Sequence, residues 1–462
     1  MKTVAIGHCA MSWGDILEPG VEMAKKANIQ YMAFDFLGEV TMSLLYRMRL
    51  RDPSRGYIPD IVPWHRALLP LARERGFKLV ANWGGANPEA AGDAVVNLAK
   101  ELGLTGLKVG VIVGDDFSDR IDEMRAKGIK FPNLDTGEED LDRIKDKMAG
   151  AYAYIGADSV IEALKQGADT VIGGRLSDSA CLVGPWMYEF GWDYKEPYWN
   201  KIGAAITCGH IVECSSSCTG GMMCSLWKDI PQQWNISDPI CELNENGEAI
   251  ITKTPSPGGL VNTWTVKEHL VYEIHDPRNY LMPDGIADFT TPHLEDAGEN
   301  RVKVTNMSGK PRPDTLKVGI GYEEGWRQEA QQWFCWPDAL EKAKRAEFNL
   351  REWIKHDARL NPVAMQVDYM GFNMLHGSVV KVPEPKDVPD LPEVGLRVCA
   401  KFNTREEADY FRREWSRWTG FDSGFCFNTT AAPSAPARII ALWPTLVPRE
   451  EIPTRVIMKE VK

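Results

Sequence analysis

Positive charge is the scarce commodity in this chain. It holds 53 lysine and arginine residues against 65 aspartate and glutamate residues, a formal net charge of −12 over 462 residues. Such a molecule repels nucleic-acid phosphates and an anionic membrane face, so neither is expected as a partner. It also repels anionic substrates at long range, so a carboxylate or a CoA phosphate would need a local positive device. No apolar run reaches the length that crosses a bilayer, so no transmembrane helix is expected. Met1-Lys2-Thr3-Val4 runs straight into a strand-like segment without a secretory leader. Ten cysteines are a moderate density for this length, and reduced thiols in a cytoplasmic protein are the simplest reading. The first strand exit does not fit G-x-G-x-x-G, no P-loop motif occurs, and there is no internal repeat or low-complexity tract. Redox-cofactor and phosphoryl-transfer enzymes therefore lose their usual signatures, and no cofactor is predicted.

What is present is ordinary globular composition, 44% hydrophobic and 26% charged. The length suggests two or three domains. Short apolar runs at Thr3–Gly7, Tyr31–Asp35, Phe77–Asn82, Leu107–Val113 and Asp169–Gly173 alternate with helical patterns. Ala91, Val95, Leu98, Ala99 and Leu102 fall on one helical face. Asp158 reads as an N-cap, with Gly167 as the helix stop. Strands separated by helices imply an α/β fold, a mostly parallel sheet with helices on both faces. From 201 onward the chain is rich in glycine, serine, threonine and cysteine, with turn signals at Asn246-Gly247 and Pro257-Gly258-Gly259. The proline-rich run Val382–Pro389 reads as a connector. A small C-terminal α+β (β-α-β-β) unit follows, with Thr404 and Glu407 forming a capping box and Trp415 and Trp418 facing its core. The expected division is 1–200 for the parallel domain, 201–381 for a second α/β domain and 390–462 for the small unit.

In open α/β sheets ligands gather at the carboxyl ends of strands. At the second strand exit Asp35 and Glu39 could share a proton, bind a metal or perform acid–base work, or simply cap and charge the next helix. At the third, Asn82-Trp83-Gly84-Gly85-Ala86-Asn87-Pro88 combines two glycines with a helix start, the best anion cradle in the sequence or else a tight turn. Asp115 and Asp116 at the fourth point in different directions, which favours capping over a joint role. At the fifth, Arg175 is shaped to hold a carboxylate, unless it pairs with Asp178. His210 is a candidate general acid or base with Glu213 orienting it, against the reading of an ordinary buried histidine. Thr219-Gly220-Gly221 offers a second loop of backbone donors. Cys208, Cys214, Cys218 and Cys224 are spaced C-x₅-C-x₃-C-x₅-C, unlike paired zinc knuckles, so no metal is assigned to them and their role stays open.

The ordered segments Phe34-Asp35-Phe36-Leu37-Gly38-Glu39, Asn82–Pro88, Gly114-Asp115-Asp116, Gly174–Asp178, Gly209–Cys214, Thr219-Gly220-Gly221, Gly258–Val261, Tyr272–Pro277 and Thr315–Val318 resemble the acyclic terpene utilisation (AtuA-like) family over nearly the whole chain. That family is named for a bacterial pathway that degrades citronellol and geraniol through CoA thioesters. Two departures bear on the substrate: Phe36 stands where tyrosine is common, and Ser215-Ser216-Ser217-Cys218 replaces a run of glycine, alanine and glutamine. The resemblance implies catabolism of a branched organic acid or its acyl-CoA thioester, with CoA as part of the substrate. It also implies a separate small second subunit. The residues themselves favour a lyase or hydratase using His210 with Glu213, or Asp35 with Glu39. The anionic group would lie on Asn82, Gly84, Gly85, Asn87, Arg175, Asp178, Thr219, Gly220 and Gly221. The alternatives are a non-catalytic binding subunit of a complex, or a CoA-transferase with Glu39 or Glu213 as nucleophile. A homo-oligomer is expected.

Overall fold

The computed structural model describes residues 1–256, 258–377, 379, 390–419 and 433–462. By compactness the described chain forms two units, Met1–Gly321 with Leu442–Lys462, and Tyr322–Ala441. The strands Pro239–Asn244 and Ala249–Lys253 fall within the first of these units. The proline-rich connector at 382–389, Pro257 of the glycine turn, and Gly420 lie outside the described residues.

The first unit is built on a ten-stranded sheet. From edge to edge its strands are His293–Asp296, Val302–Thr305, Ala249–Lys253, Pro239–Asn244, Thr3–His8, Tyr31–Phe34, Lys78–Ala81, Thr170–Ile172, Lys108–Val113 and Arg455–Glu460. The five strands read from the first 175 residues pair in parallel, as their helical crossovers require. The outer pairs are antiparallel, so the sheet is mixed and not mostly parallel. The reason is local. Asn246-Gly247 closes a hairpin between Pro239–Asn244 and Ala249–Lys253, with Gly247 at φ +86°. A hairpin can only add antiparallel strands. Its first arm pairs with Thr3–His8, more than 200 residues away. The last strand, Arg455–Glu460, lies against Lys108–Val113 and so leaves the small C-terminal unit in which it was expected.

Helices cover both faces of the parallel block. On Lys108–Val113, a side chain at Gly110 would meet Ala163 of the helix Asp158–Lys165, while Val111 meets Gly92 of the helix Pro88–Glu101. Adjacent strand residues point to opposite faces, so these helices lie on opposite sides. Asp158 occupies the first helical position and Ala157 the cap, one residue off the expected start. No described helix is long and apolar enough to cross a membrane.

The second unit, Tyr322–Ala441, carries Ala364–Met370, Glu393–Phe402 and the parts of Thr315–Cys335 and Ala437–Pro448 that fall within its bounds, paired in that order. Helices Ala339–His356 and Arg405–Trp418 pack on it. The capping box of Thr404 and Glu407 forms as expected. Trp415 and Trp418 are buried with Phe402 and Phe411 in its core.

Several carboxyls lie deep in the first unit. Asp284 is fully buried; its Oδ1 accepts from Ala157 N at 2.7 Å and Tyr194 Oη at 2.6 Å, and its Oδ2 has no partner. Burial, then the charge of Asp158, push it from 3.8 up to about 6. An acid raised on folding stabilises the fold below its unfolded pKa and loses that contribution as pH rises through the folded value. The window here runs from 3.8 to about 6, and the loss is on the order of 3 kcal/mol. Asp284→Asn keeps the shape and removes the charge. Its Tm relative to the parent should rise between pH 4 and pH 8; a constant difference across that range would contradict the assignment.

Candidate functional site

The strand Thr170–Ile172 inserts between Lys78–Ala81 and Lys108–Val113, so its exit loop emerges at the middle of the parallel block. That loop carries Arg175 and Asp178. Arg175 is 2% exposed. Its backbone amide donates to Asp115 Oδ2 at 2.7 Å, and Nη1 donates to the Leu176 carbonyl at 2.6 Å. Nη2 stands 2.8 Å from Asp178 Oδ1 as an ion pair out of hydrogen-bond alignment, and Nε has no partner. The guanidinium lies over the Tyr154 ring, 4.3 Å from its centroid. The pairing of Arg175 with Asp178, one of the two readings the sequence offered, is therefore present.

Asp35 leaves the strand Tyr31–Phe34 beside it. Its Oδ1 accepts from Asn82 Nδ2 at 2.5 Å and from Leu37 N at 3.0 Å, while Asn82 Oδ1 accepts from Phe36 N at 2.8 Å. Asn82 is thus a clamp on the neighbouring strand exit. The third carboxylate arrives from the helix Trp199–Val212, whose last turn places His210 and Glu213 on one face. Close approach of that helix depends on Gly209, where a Cβ would stand 2.7 Å from Ser179 Cβ. Asp35, Asp178 and Glu213 each offer a carboxylate oxygen within 4.8 Å of the others. They are the one such group of potential metal ligands among the described residues.

This arrangement sets the protonation states. Burial, followed by the charge of Asp178, drives the carboxyls of Asp35 and Glu213 well above the carboxylate range, with Arg175 opposing in both. His210 Nδ1 is 3.5 Å from Glu213 Oε1. Burial lowers its pKa to about 4 against the pull of Asp178 and Glu273, so the imidazole is neutral near pH 7. The His210 ring sits among His269, Tyr280 and Phe289, at centroid distances of 5.8, 5.1 and 4.9 Å. Neither ring nitrogen of His210 or His269 makes a well-formed hydrogen bond. His269 and Tyr272 also line a cavity of about 200 Å³ with Met222, Met223 and Thr265. A larger cavity of about 280 Å³ lies at the opposite, amino ends of the strands, against Phe77, Leu107 and Asp169, away from these groups.

Other sequence candidates have different duties. Glu39 starts the helix Glu39–Arg51. It accepts from Tyr154 Oη at 2.7 Å and lies 3.5 Å from Lys317 Nζ. Burial alone would raise it, but the Tyr154 hydroxyl, Arg175 and Lys317 outweigh that and hold it down at about 2. Asp115 is buried under Arg175, whereas Asp116 caps Ser118 and pairs with Arg49 at 2.8 Å.

The glycine loop is not an open cradle. The amides of Gly84, Gly85, Ala86 and Asn87 donate to the carbonyls of Gly173, Asn82, Gly56 and Gly84. Asn87 Oδ1 caps Ala90 N, and its Nδ2 donates to Pro53 and Arg55 carbonyls. With every one of those donors taken, none is left for an anion. Thr219-Gly220-Gly221 is likewise a closed turn, its three amides donating to Ser216, Ser217 and Ser216 carbonyls. A Cβ at Gly84 would stand 2.6 Å from the Gly173 carbonyl oxygen and 2.7 Å from Pro88 Cα. Gly84→Ala is therefore expected to destabilise the first unit by about 1–3 kcal/mol, read as a lowered denaturant midpoint. An unchanged midpoint with weakened ligand binding would restore the cradle. Cys208 and Cys218 are buried, Cys214 partly so and Cys224 exposed, and no disulfide joins them. Burial, then Glu213, push the Cys214 thiol far up, which argues against a thiolate nucleophile there.

Sequence reasoning missed Tyr154, Lys317 and His269. Tyr154 follows the strand Met148–Ala153, whose small residues were not read as a strand from the sequence; no sequence signal tied it to Arg175. His269 sits inside the helix Thr263–Leu270, which Asn262 caps and which the sequence analysis did not identify.

A family model described as acyclic terpene utilisation family protein AtuA matches residues 4–458. No curated protein and no solved structure matches the chain.

Proposed function

The chain belongs to the acyclic terpene utilisation (AtuA) family, and from that premise we propose that it is a catabolic lyase or hydratase acting on a branched organic acid or its acyl-CoA thioester. The observation that carries this reading is the meeting of Asp35, Asp178 and Glu213 with His210 and Arg175 in one buried cluster. Arg175 is the cation that offsets the repulsion of an anionic substrate by an acidic protein. His210, neutral and held beside Glu213, is placed to take a proton from the carbon next to the carbonyl. In that step the C–H bond breaks and its electron pair forms the new double bond. The adjacent C–O bond breaks, and the hydroxyl leaves as water with the proton that His210 carried. The imidazolium formed in between is favoured by the charges of Asp178 and Glu273, the two groups that already pull the His210 pKa upward.

Solvent exchange tests the reading directly. Branched acyl-CoA thioesters and the free acids are incubated with the purified protein in D₂O. Deuterium entering at the carbon next to the carbonyl, absent with His210→Ala, supports it. Tight binding with no exchange and no water elimination would sink it in favour of a binding subunit.

A further inference from the structure

The same cluster has a second property, one of charge. Fully ionised, three carboxylates and one guanidinium would leave two negative charges in a place where Asp35 and Glu213 are 7% and 5% exposed. Uncompensated buried charge costs several kcal/mol per ion, so an ionised cluster needs a counter-charge of two. The second shell is already built. Both hydrogen bonds to Asp35 fall on Oδ1, the ion pair of Asp178 with Arg175 uses Oδ1, and His210 faces Oε1 of Glu213. Hydrogen bonds hold only Asp35 Oδ1; Asp178 Oδ1 meets Arg175 by charge alone and Glu213 Oε1 only faces His210, so each carboxylate keeps oxygen lone pairs for a ligand.

An independent observation points to a missing occupant. Buried polar atoms are nearly always paired. Yet eight of the eighteen buried side-chain atoms without a partner belong to Arg175, Ser177, Asp178, Ser179, His210 and His269. His210 is 1% exposed, and its unpaired Nδ1 is directed at Glu213 from 3.5 Å.

We infer that Asp35, Asp178 and Glu213 form a site for one divalent cation, of the hard Mg²⁺ or Mn²⁺ type, whose remaining positions face the substrate's oxygen atoms. All three ligands are oxygens, which selects hard cations over zinc or copper. Oxygens around Mg²⁺ stand at most about 4.2 Å apart, and the three carboxylates already lie within 4.8 Å, so small side-chain movements close the site. Asp178 is the exposed member, with 36% of its side chain accessible, and gives the side of entry. A cation there would hold the carbonyl or hydroxyl oxygen and stabilise the charge that develops on it as His210 removes the proton. The inference rests on reading this cluster as the active site.

Mn²⁺ alone is the probe, titrated into EDTA-treated, dialysed protein and followed by the loss of the free-ion EPR signal. One Mn²⁺ per chain is expected, displaced by Mg²⁺, with affinity lowered at least about tenfold in Asp35→Asn and Glu213→Gln. Circular dichroism melts establish that the variants fold, and Asp178→Asn provides a third, less buried ligand change. Asp284→Asn, which removes a buried carboxyl elsewhere in the unit, should bind as the parent does. Absence of binding at millimolar Mn²⁺ or Mg²⁺, or equal binding by folded cluster variants, overturns the site. Mn²⁺ binding without deuterium exchange would keep the cation site while ending the lyase reading. Exchange that persists in EDTA with no bound Mn²⁺ would end the cation site and keep the lyase.

Discussion

His210→Ala lowers turnover of a branched acyl-CoA or acid substrate by about 10²–10⁴-fold, the range typical of losing a positioned acid–base group. The effect should fall on kcat with little change in KM, because His210 acts on the proton and Arg175 on the anionic end. The fold should tolerate the change better than most core truncations. The imidazole is surrounded by Tyr280, Phe289 and His269 but has no hydrogen bond to lose. Alanine therefore strands no partner, although it leaves a cavity. Glu213→Gln tests the orienting role by a different route. The amide keeps the shape but removes the carboxyl that faces His210 Nδ1 from 3.5 Å. A His210→Ala protein with parent-like kcat, in any assay that the parent passes, would remove His210 from the chemistry.

The second large effect is on stability. Arg175→Met should cost about 1–3 kcal/mol, because it removes a buried cation and leaves the Leu176 carbonyl without its donor, while the part-exposed Asp178 is screened by solvent. Arg175 serves three elements at once: it pairs with Asp178, holds the Leu176 carbonyl and stacks on Tyr154. Its loss also exposes Asp35 and Glu213 to the field of Asp178 with nothing to oppose it, since Arg175 is the group that lowers both pKa values. A compensating Asp178→Asn in the same chain should recover a measurable part of the loss in urea unfolding. Strictly additive effects would show that the two side chains are not coupled. Arg175→Lys keeps the charge but not the fork or the stacking, so it should fall between the parent and Arg175→Met.

Some of the fold was legible because its cause is local. The capping box at Thr404 and Glu407, the stripe through Ala91, Val95, Leu98 and Ala99, and the five parallel strands all follow from patterns within about a dozen residues. The mixed edges of the sheet were not legible. The Asn246-Gly247 turn announces a hairpin, but nothing near it says that Pro239–Asn244 will pair with Thr3–His8. Likewise Arg455–Glu460 reads as a strand of whatever lies nearby, and its partner is Lys108–Val113. The site divides in the same way. Arg175 with Asp178, and His210 with Glu213, are three apart in the chain and were paired on spacing. Asp35 and Glu39 were matched on the same ground, and the spacing gave no sign that Tyr154, 115 residues from Glu39, would donate to that carboxylate.

The sequence by itself determined the family, the alternation of strand and helix, and the residue types that gather at the strand exits, since each depends on order, periodicity or short-range spacing. Only the tertiary structure decided which of those residues meet. It closed the amides of the Gly84-Gly85 turn onto Gly173 and its neighbours. It also brought Asp35, Asp178 and Glu213, from three separate segments, within 4.8 Å. The physical reason is that burial and charge act through space. A carboxylate's protonation, and its capacity to hold a cation, are set by what packs around it and not by its neighbours in the chain.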